Sequence, residues 1–235
     1  MPDFTDAADA LSRAEDDPGA MTRTLVEFLP VNGASLSTLG EFLGTETLAA
    51  SDTVIARIDE LQFDLGEGPC WDALATLGPV LEPDLRDQPR HSWPVFTRAA
   101  VQEHGIAALF AFPLAVGPLR IGAIDLYSLT PGELGPTRTT ETSALALIIS
   151  RHVLRDALRS AGSEPPAPSG PFSRRAVHQA TGFVIAQCGV SAEDAHLLLQ
   201  GHAFAEGVSM DEIAQEVISG RLVFTATGST IGDVR

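Results

Sequence analysis

The sequence predicts an α+β fold: an antiparallel sheet with flanking helices, followed by a small three-helix bundle. Three observations carry this. Two apolar runs, Ile106 to Val116 and Leu119 to Tyr127, are joined by Gly117-Pro118, the mark of an antiparallel hairpin. Residues 162–171, GSEPPAPSGP, hold four prolines and read as a semi-extended linker. Beyond the linker, three segments repeat apolar residues at helical spacing, each opened by a serine and closed by a glycine.

Composition bounds the rest. A chain of 235 residues has room for one sheet domain and a small module. With 44% hydrophobic but only 6% aromatic residues, its core must be built mainly from aliphatic side chains. Apolar runs are too short for a membrane span, and the first thirty or so residues lack the pattern of an export signal, so a cytoplasmic location and no membrane partner are expected. Cys70 and Cys188 are too few and too distant for a disulfide framework or a zinc site. A formal net charge of -16, with arginine as the sole strong cation, opposes non-specific binding to nucleic acid or anionic membranes.

In chain order, residues 1–20 are acidic and alanine-rich and are expected to be a frayed helix or disordered, with Asp16-Asp17-Pro18-Gly19 as a break. Met21 to Leu29 reads as an amphipathic helix stopped by Pro30. Val31 to Leu39 and Glu46 to Ser51 read as strands, and Asp52 as the N-cap of a helix carrying Val54, Ile55, Ile58 and Leu61. A short strand at Pro79 to Leu81, a helix from Trp93 to Gln102, the hairpin and a long helix from Thr137 to about Ser160 complete the domain. Its helices are expected on one side of the sheet.

The segment Phe63 to Leu74, FDLGEGPCWDAL, stands out. Gly66 and Gly68 permit backbone conformations closed to other residues, and Pro69 suits the first turn of a helix through Cys70 and Trp71. Two readings stay open here: a tight turn into a packed helix, or a helix start whose amides receive a ligand. Gly66, Gly68, Cys70 and Trp71 are the ligand-binding candidates on the second. Cys70 is either a small apolar filler or, near a helix start, a reactive thiol. His91 and His104 read equally as solvated loop residues or as acids or bases, and Asp16-Asp17 and Asp59-Glu60 read as solvated faces. No catalytic ordering or metal-ligand spacing is apparent, so the expectation is no enzyme, no catalytic residue, no metal and no cofactor.

This segment, with GPVLEPDL, WPVFTRAA and FPLAVGPLRIGAIDLYSLTPGEL, resembles a GAF domain over about Leu25 to Leu158. The resemblance implies an antiparallel sheet of about six strands with a ligand cleft on one face, and often dimerisation through terminal helices. It does not name the ligand, so an unidentified small-molecule or protein signal is expected.

After the linker, Ser173 is the expected cap of a helix to Cys188, with Val177, Ala180, Thr181, Val184 and Cys188 on one stripe. Ser191 and Asp194 open a second, with Ala195, Leu198, Leu199, His202 and Ala203 inward. Ser209 opens a third, with Ile213, Ala214, Val217 and Ile218 inward. Residues 173–224, with Ala180-Thr181-Gly182-Phe183-Val184, Ala195, Leu198-Leu199, His202-Ala203-Phe204, Ile213-Ala214 and Val217-Ile218, resemble an ANTAR domain. The resemblance implies a homodimer that binds paired stem-loops in a nascent transcript and causes antitermination. Positions available to contact RNA are Arg174, Arg175, His178, Gln179, Thr181 and Arg221, with Arg174 and Arg175 the foremost phosphate contacts. The segment holds three arginines against six acids, too few cations for strong counterion-release binding unless pairing doubles them. The alternative is a protein-interaction or small-molecule sensor dimer with weak or no RNA binding. The expected divisions are 1–20, a 21–160 sensor domain, a 161–172 linker, the 173–224 module and a 225–235 tail.

Overall fold

A computed structural model describes residues 2–14, 17–39, 43–86, 93–160, 174–227 and 230–234. The chain divides into two compact units, Met1–Phe172 and Ser173–Arg235. Asp16, His91, the proline-rich linker and the expected cap Ser173 lie outside the described residues.

In the first unit, strands β1 (Gly33–Thr38), β2 (Glu46–Ala50), β3 (Val80–Glu82), β4 (Ala108–Val116) and β5 (Leu119–Ser128) form one antiparallel sheet in the order β2-β1-β5-β4-β3. The hairpin at Gly117-Pro118 joins β4 to β5 as the sequence predicts. Alternation along the strands sorts side chains to two faces. Ala34, Leu36, Phe110, Phe112, Leu114, Ile124 and Leu126 share one core cluster with residues of α1 (Phe4–Arg13), α2 (Pro18–Phe28) and α6 (Gly135–Ser160). The opposite face is covered by α3 (Thr53–Leu65), α4 (Pro69–Thr76) and α5 (Pro94–Gln102), through Ile55, Ile58, Phe96 and Leu109 and through Phe63, Cys70, Leu74 and Ala123. Helices therefore lie on both faces and not on one. Every residue of β1 is buried, which a sheet with an open face would not allow.

The N-terminal segment also differs from expectation. Asp3 and Asp6 form a capping box, and Ala7 and Leu11 are fully buried on the core, so α1 is a docked helix. Asp17 accepts the Ala20 amide and Pro18 occupies the first turn of α2, making Asp17-Pro18 a helix start where the sequence reading places a break.

The second unit holds α7 (Arg175–Cys188), α8 (Ala192–Glu206) and α9 (Met210–Ile218), packed through Val177, Ala180, Val184, Ala195, Leu199, Ala203, Ile213, Ala214 and Val217. Left-handed Gly189 and Gly207 close α7 and α8, and Ser191 and Ser209 cap α8 and α9. Ser209→Ala removes a two-way capping box with Glu212 and is expected to cost about 1 kcal/mol, read as a lower unfolding midpoint of this unit. Residues 225–235 are not simply a tail. Strands β6 (Val223–Thr227) and β7 (Thr230–Val234) pair antiparallel, and Leu222 and Phe224 enter the helical core. The Phe224 amide donates to Gln187 Oε1 at 3.0 Å, and its ring meets His202 edge-on at 5.7 Å.

Candidate functional sites

Two places concentrate polar chemistry, one in each unit. In the first, α3 lies over β1, β2 and β5 and presents Asp59 and Gln62, both fully buried. Asp52 starts this helix by accepting the Val54 and Ile55 amides, which fixes the face it turns to the sheet. Asp59 accepts hydrogen bonds from Ser37 Oγ, at 2.8 and 2.7 Å, and from Thr47 Oγ1. Gln62 Nε2 donates to Asp125 Oδ2 at 2.8 Å. Asp125 sits in mid-β5, directly opposite Ser35 of β1. Burial first, and the nearby Asp59 charge second, push the Asp125 carboxyl up to about 8, against a smaller downward pull from Gln62.

Gln62 also organises the glycine-rich turn. Its Oε1 accepts the Cys70 amide at 2.9 Å and its backbone carbonyl accepts the Trp71 indole N–H at 2.9 Å. Gly66 is left-handed at φ 64°, ending α3. Gly68, at φ 140°, lies so close to Gln62 that a Cβ there would stand 2.5 Å from Oε1. Glu67 turns away to accept the Val95 and Phe96 amides, capping α5. The amide at the α4 start that a ligand carbonyl would take at Cys70 is therefore already occupied by Gln62. Gly68, Cys70 and Trp71 thus pack on Gln62, and Gly66 only ends α3. The Cys70 thiol is fully buried, and burial, then Asp125 and Asp59, raise its pKa well above the ordinary range. Burial and a thiol held protonated favour the apolar-filler reading of Cys70, since attack requires the thiolate. In native protein, Cys188 is expected to react with a thiol reagent before Cys70, as mass spectrometry of labelled peptides will show. Equal rates would contradict this. The Asp59-Glu60 pair is also corrected, because Asp59 is fully buried and not part of a solvated face. Among the described residues, no group of three or more His, Cys, Asp or Glu is placed to hold a metal ion.

In the second unit the outward face of α7 is formed by Arg175, His178, Gln179, Gly182, Phe183 and Ala186, all on one side of the helix and spaced three or four residues apart. Thr181 is half-buried and donates its hydroxyl to the Val177 carbonyl. Arg221 is exposed beyond α9. Arg174 is only 7% exposed, so it is not the surface cation its position in the sequence suggests. Phe183, 42% exposed, is a missed member of this face; its place between Gly182 and the inward Val184 is the signal for it. The acids of this unit's helices all lie on α8 and α9, and α7 has none. The net negative charge of the module is thus kept off one helix.

Residues 172–218 match the family described as "ANTAR domain". They form an ANTAR domain. The first unit is similar in fold to the GAF domain of a phosphoenolpyruvate-protein phosphotransferase from Coxiella burnetii, with 17% identity over 67% of this chain and 92% of that one and a TM-score of 0.50. It is similar also to the corresponding GAF domain from Acinetobacter, with 11% identity, 68% and 99% coverage and a TM-score of 0.51. A free methionine-R-sulfoxide reductase from Neisseria meningitidis, solved with its substrate, matches at 16% identity, 68% and 95% coverage and a TM-score of 0.51. At such identities the likeness establishes the GAF fold and leaves activity open. No curated protein matches the chain. The architecture is thus a GAF-fold unit followed by an ANTAR domain, and among the described residues no helix is long and apolar enough to cross a membrane.

Proposed function

We propose that this chain is a signal-responsive regulator. Its GAF unit senses a small molecule or partner, and its ANTAR domain, working as a homodimer, binds paired stem-loops in nascent RNA to cause antitermination. The observation that carries the reading is the ANTAR match together with an acid-free outward face on α7. On that face Arg175 supplies charge, His178 and Gln179 supply hydrogen-bonding groups, and Phe183 supplies a flat apolar surface for an unpaired base. Arg221 is the remaining exposed arginine among the described residues of the unit.

The test is a gel shift of the full chain against transcripts carrying paired stem-loops and against single stem-loops of the same composition. Preferential retention of the paired form supports the reading, and absence of any shift at low salt rejects it. A second reading, a sensor dimer with little RNA binding, is favoured by a different surface. Leu197 and Phe204, 55% and 64% exposed, lie on the outer side of α8 with exposed Gly201 between them and Glu193 and Asp194 near one end. An apolar stripe beside acids suits protein better than RNA. On this second reading, Phe204→Arg lowers the association state while the wild type gives no shift.

A further inference from the structure

The layer between α3 and the sheet is incompletely bonded. Ser35 and Asp125 are 0% and 1% exposed and face one another across β1 and β5. Ser35 lies two residues from Ser37, whose hydroxyl reaches Asp59 of α3, so alternation puts the Ser35 hydroxyl on the same side of the sheet. Asp125 points to that side too, since Gln62 of α3 donates to its Oδ2. Yet Asp125 Oδ1 and Ser35 Oγ have no hydrogen-bond partner. Among the described residues Asp125 makes no ion pair, although Asp59 lies close enough to act on its charge. Buried polar atoms left this way are costly, and the nearby Asp59 makes ionising Asp125 costlier still.

We propose that this layer is the ligand site of the GAF unit and that its ligand is a small protonated nitrogen base, an amine, amidine or guanidine. Its N–H groups donate to Asp125 Oδ1 and Ser35 Oγ, and its charge offsets the two carboxylates. Anionic ligands such as nucleotides are repelled by the same pair. Gln62 carries occupancy outward, because the side chain that holds Asp125 also holds the Cys70 amide at the start of α4, and its own carbonyl holds the Trp71 indole. This inference rests on the reading of the GAF unit as a sensor and names the class of signal.

The experiment titrates the full chain with methylammonium and methylguanidinium chlorides, with tetramethylammonium chloride as a cation of equal charge lacking N–H donors. Thermal midpoint and tryptophan emission are followed; both tryptophans lie in the GAF unit. A saturable rise in midpoint and a change in emission are expected with at least one N–H cation and not with tetramethylammonium. Ser35→Ala should weaken binding about tenfold. Asp125→Asn should abolish it while keeping the fold, because the amide keeps the Gln62 hydrogen bond but cannot supply the negative charge that a bound cation pairs with. No saturable response in the wild type, an equal response to tetramethylammonium, or an undiminished response in Asp125→Asn overturns the proposal. RNA retention is measured on the same samples. A gel shift without a nitrogen-base response rejects the ligand class alone, whereas a nitrogen-base response without a shift rejects the RNA reading alone.

Discussion

Asp125→Asn is expected to stabilise the GAF unit at neutral pH, on the order of 3 kcal/mol, and to flatten its stability against pH. In the folded chain the Asp125 carboxyl titrates at about 8, chiefly through burial and next through Asp59. An unfolded aspartate titrates near 4. Between those values the unfolded chain has released a proton that the folded chain still holds, so stability falls as pH rises across that window. Below it both states are protonated, and above about 8 both are ionised, so the fall is confined to the interval. Asparagine keeps the Gln62 hydrogen bond through its carbonyl and has no proton to lose. Urea unfolding followed by tryptophan emission at several pH values should give a slope for the wild type and less slope for the variant. Parallel curves would show that Asp125 is not the titrating group. The expected gain has a functional meaning: a buried carboxyl pair that lowers stability is a poor structural device and a suitable binding device.

This layer is the part of the molecule least legible in the sequence, and the reason is physical. The caps at Asp52, Ser191 and Ser209 and the Gly117-Pro118 hairpin are local devices, specified by residues within a few positions of one another, and they stand where the sequence places them. Asp59 and Asp125 belong to different elements and are joined only by the sheet topology. Alone, Asp59 looks like the polar side of an amphipathic helix, because Ile55 and Ile58 form an adequate apolar stripe without it. Two clues were present: Asp59 and Gln62 sit three apart on one helix, and Asp125 interrupts an otherwise apolar strand, IGAIDLY. A strand buried on both faces that keeps one carboxylate calls for a partner. The same locality explains the C-terminus. The β-branched residues on either side of Gly228-Ser229 are a hairpin signal, but the sequence reading stops at the last helical stripe. For Arg174 the error is of another kind. A cation just after a linker looks solvated, yet burial at a helix N-cap depends on what packs there, which spacing does not reveal.

Phe183→Ala is expected to weaken RNA binding by roughly 5- to 100-fold while leaving its salt dependence unchanged. With Arg174 buried, Arg175 and Arg221 are the exposed arginines of each ANTAR domain among the described residues. If both meet phosphate, a dimer neutralises about four charges, and a slope of log affinity against log salt near -3 is the ceiling for single-stranded contacts. That is a small electrostatic contribution, so the remaining affinity must come from interactions that do not release counterions. A base stacked on an exposed ring is such an interaction. Gly182 beside Phe183 and Ala186 three residues on leave the ring open to approach, and a Cβ added at Gly182 would meet nothing within 4 Å. Arg175→Ala should do the reverse of Phe183→Ala, lowering the slope magnitude by about 0.7 for each phosphate that is no longer neutralised. The unfolding midpoint of each variant is compared with that of the wild type, so that a loss of binding is read only where the fold is kept. Gel shifts over a salt series separate the two effects. A Phe183→Ala variant that binds like the wild type, or a wild-type slope well beyond -3, would place RNA on another surface.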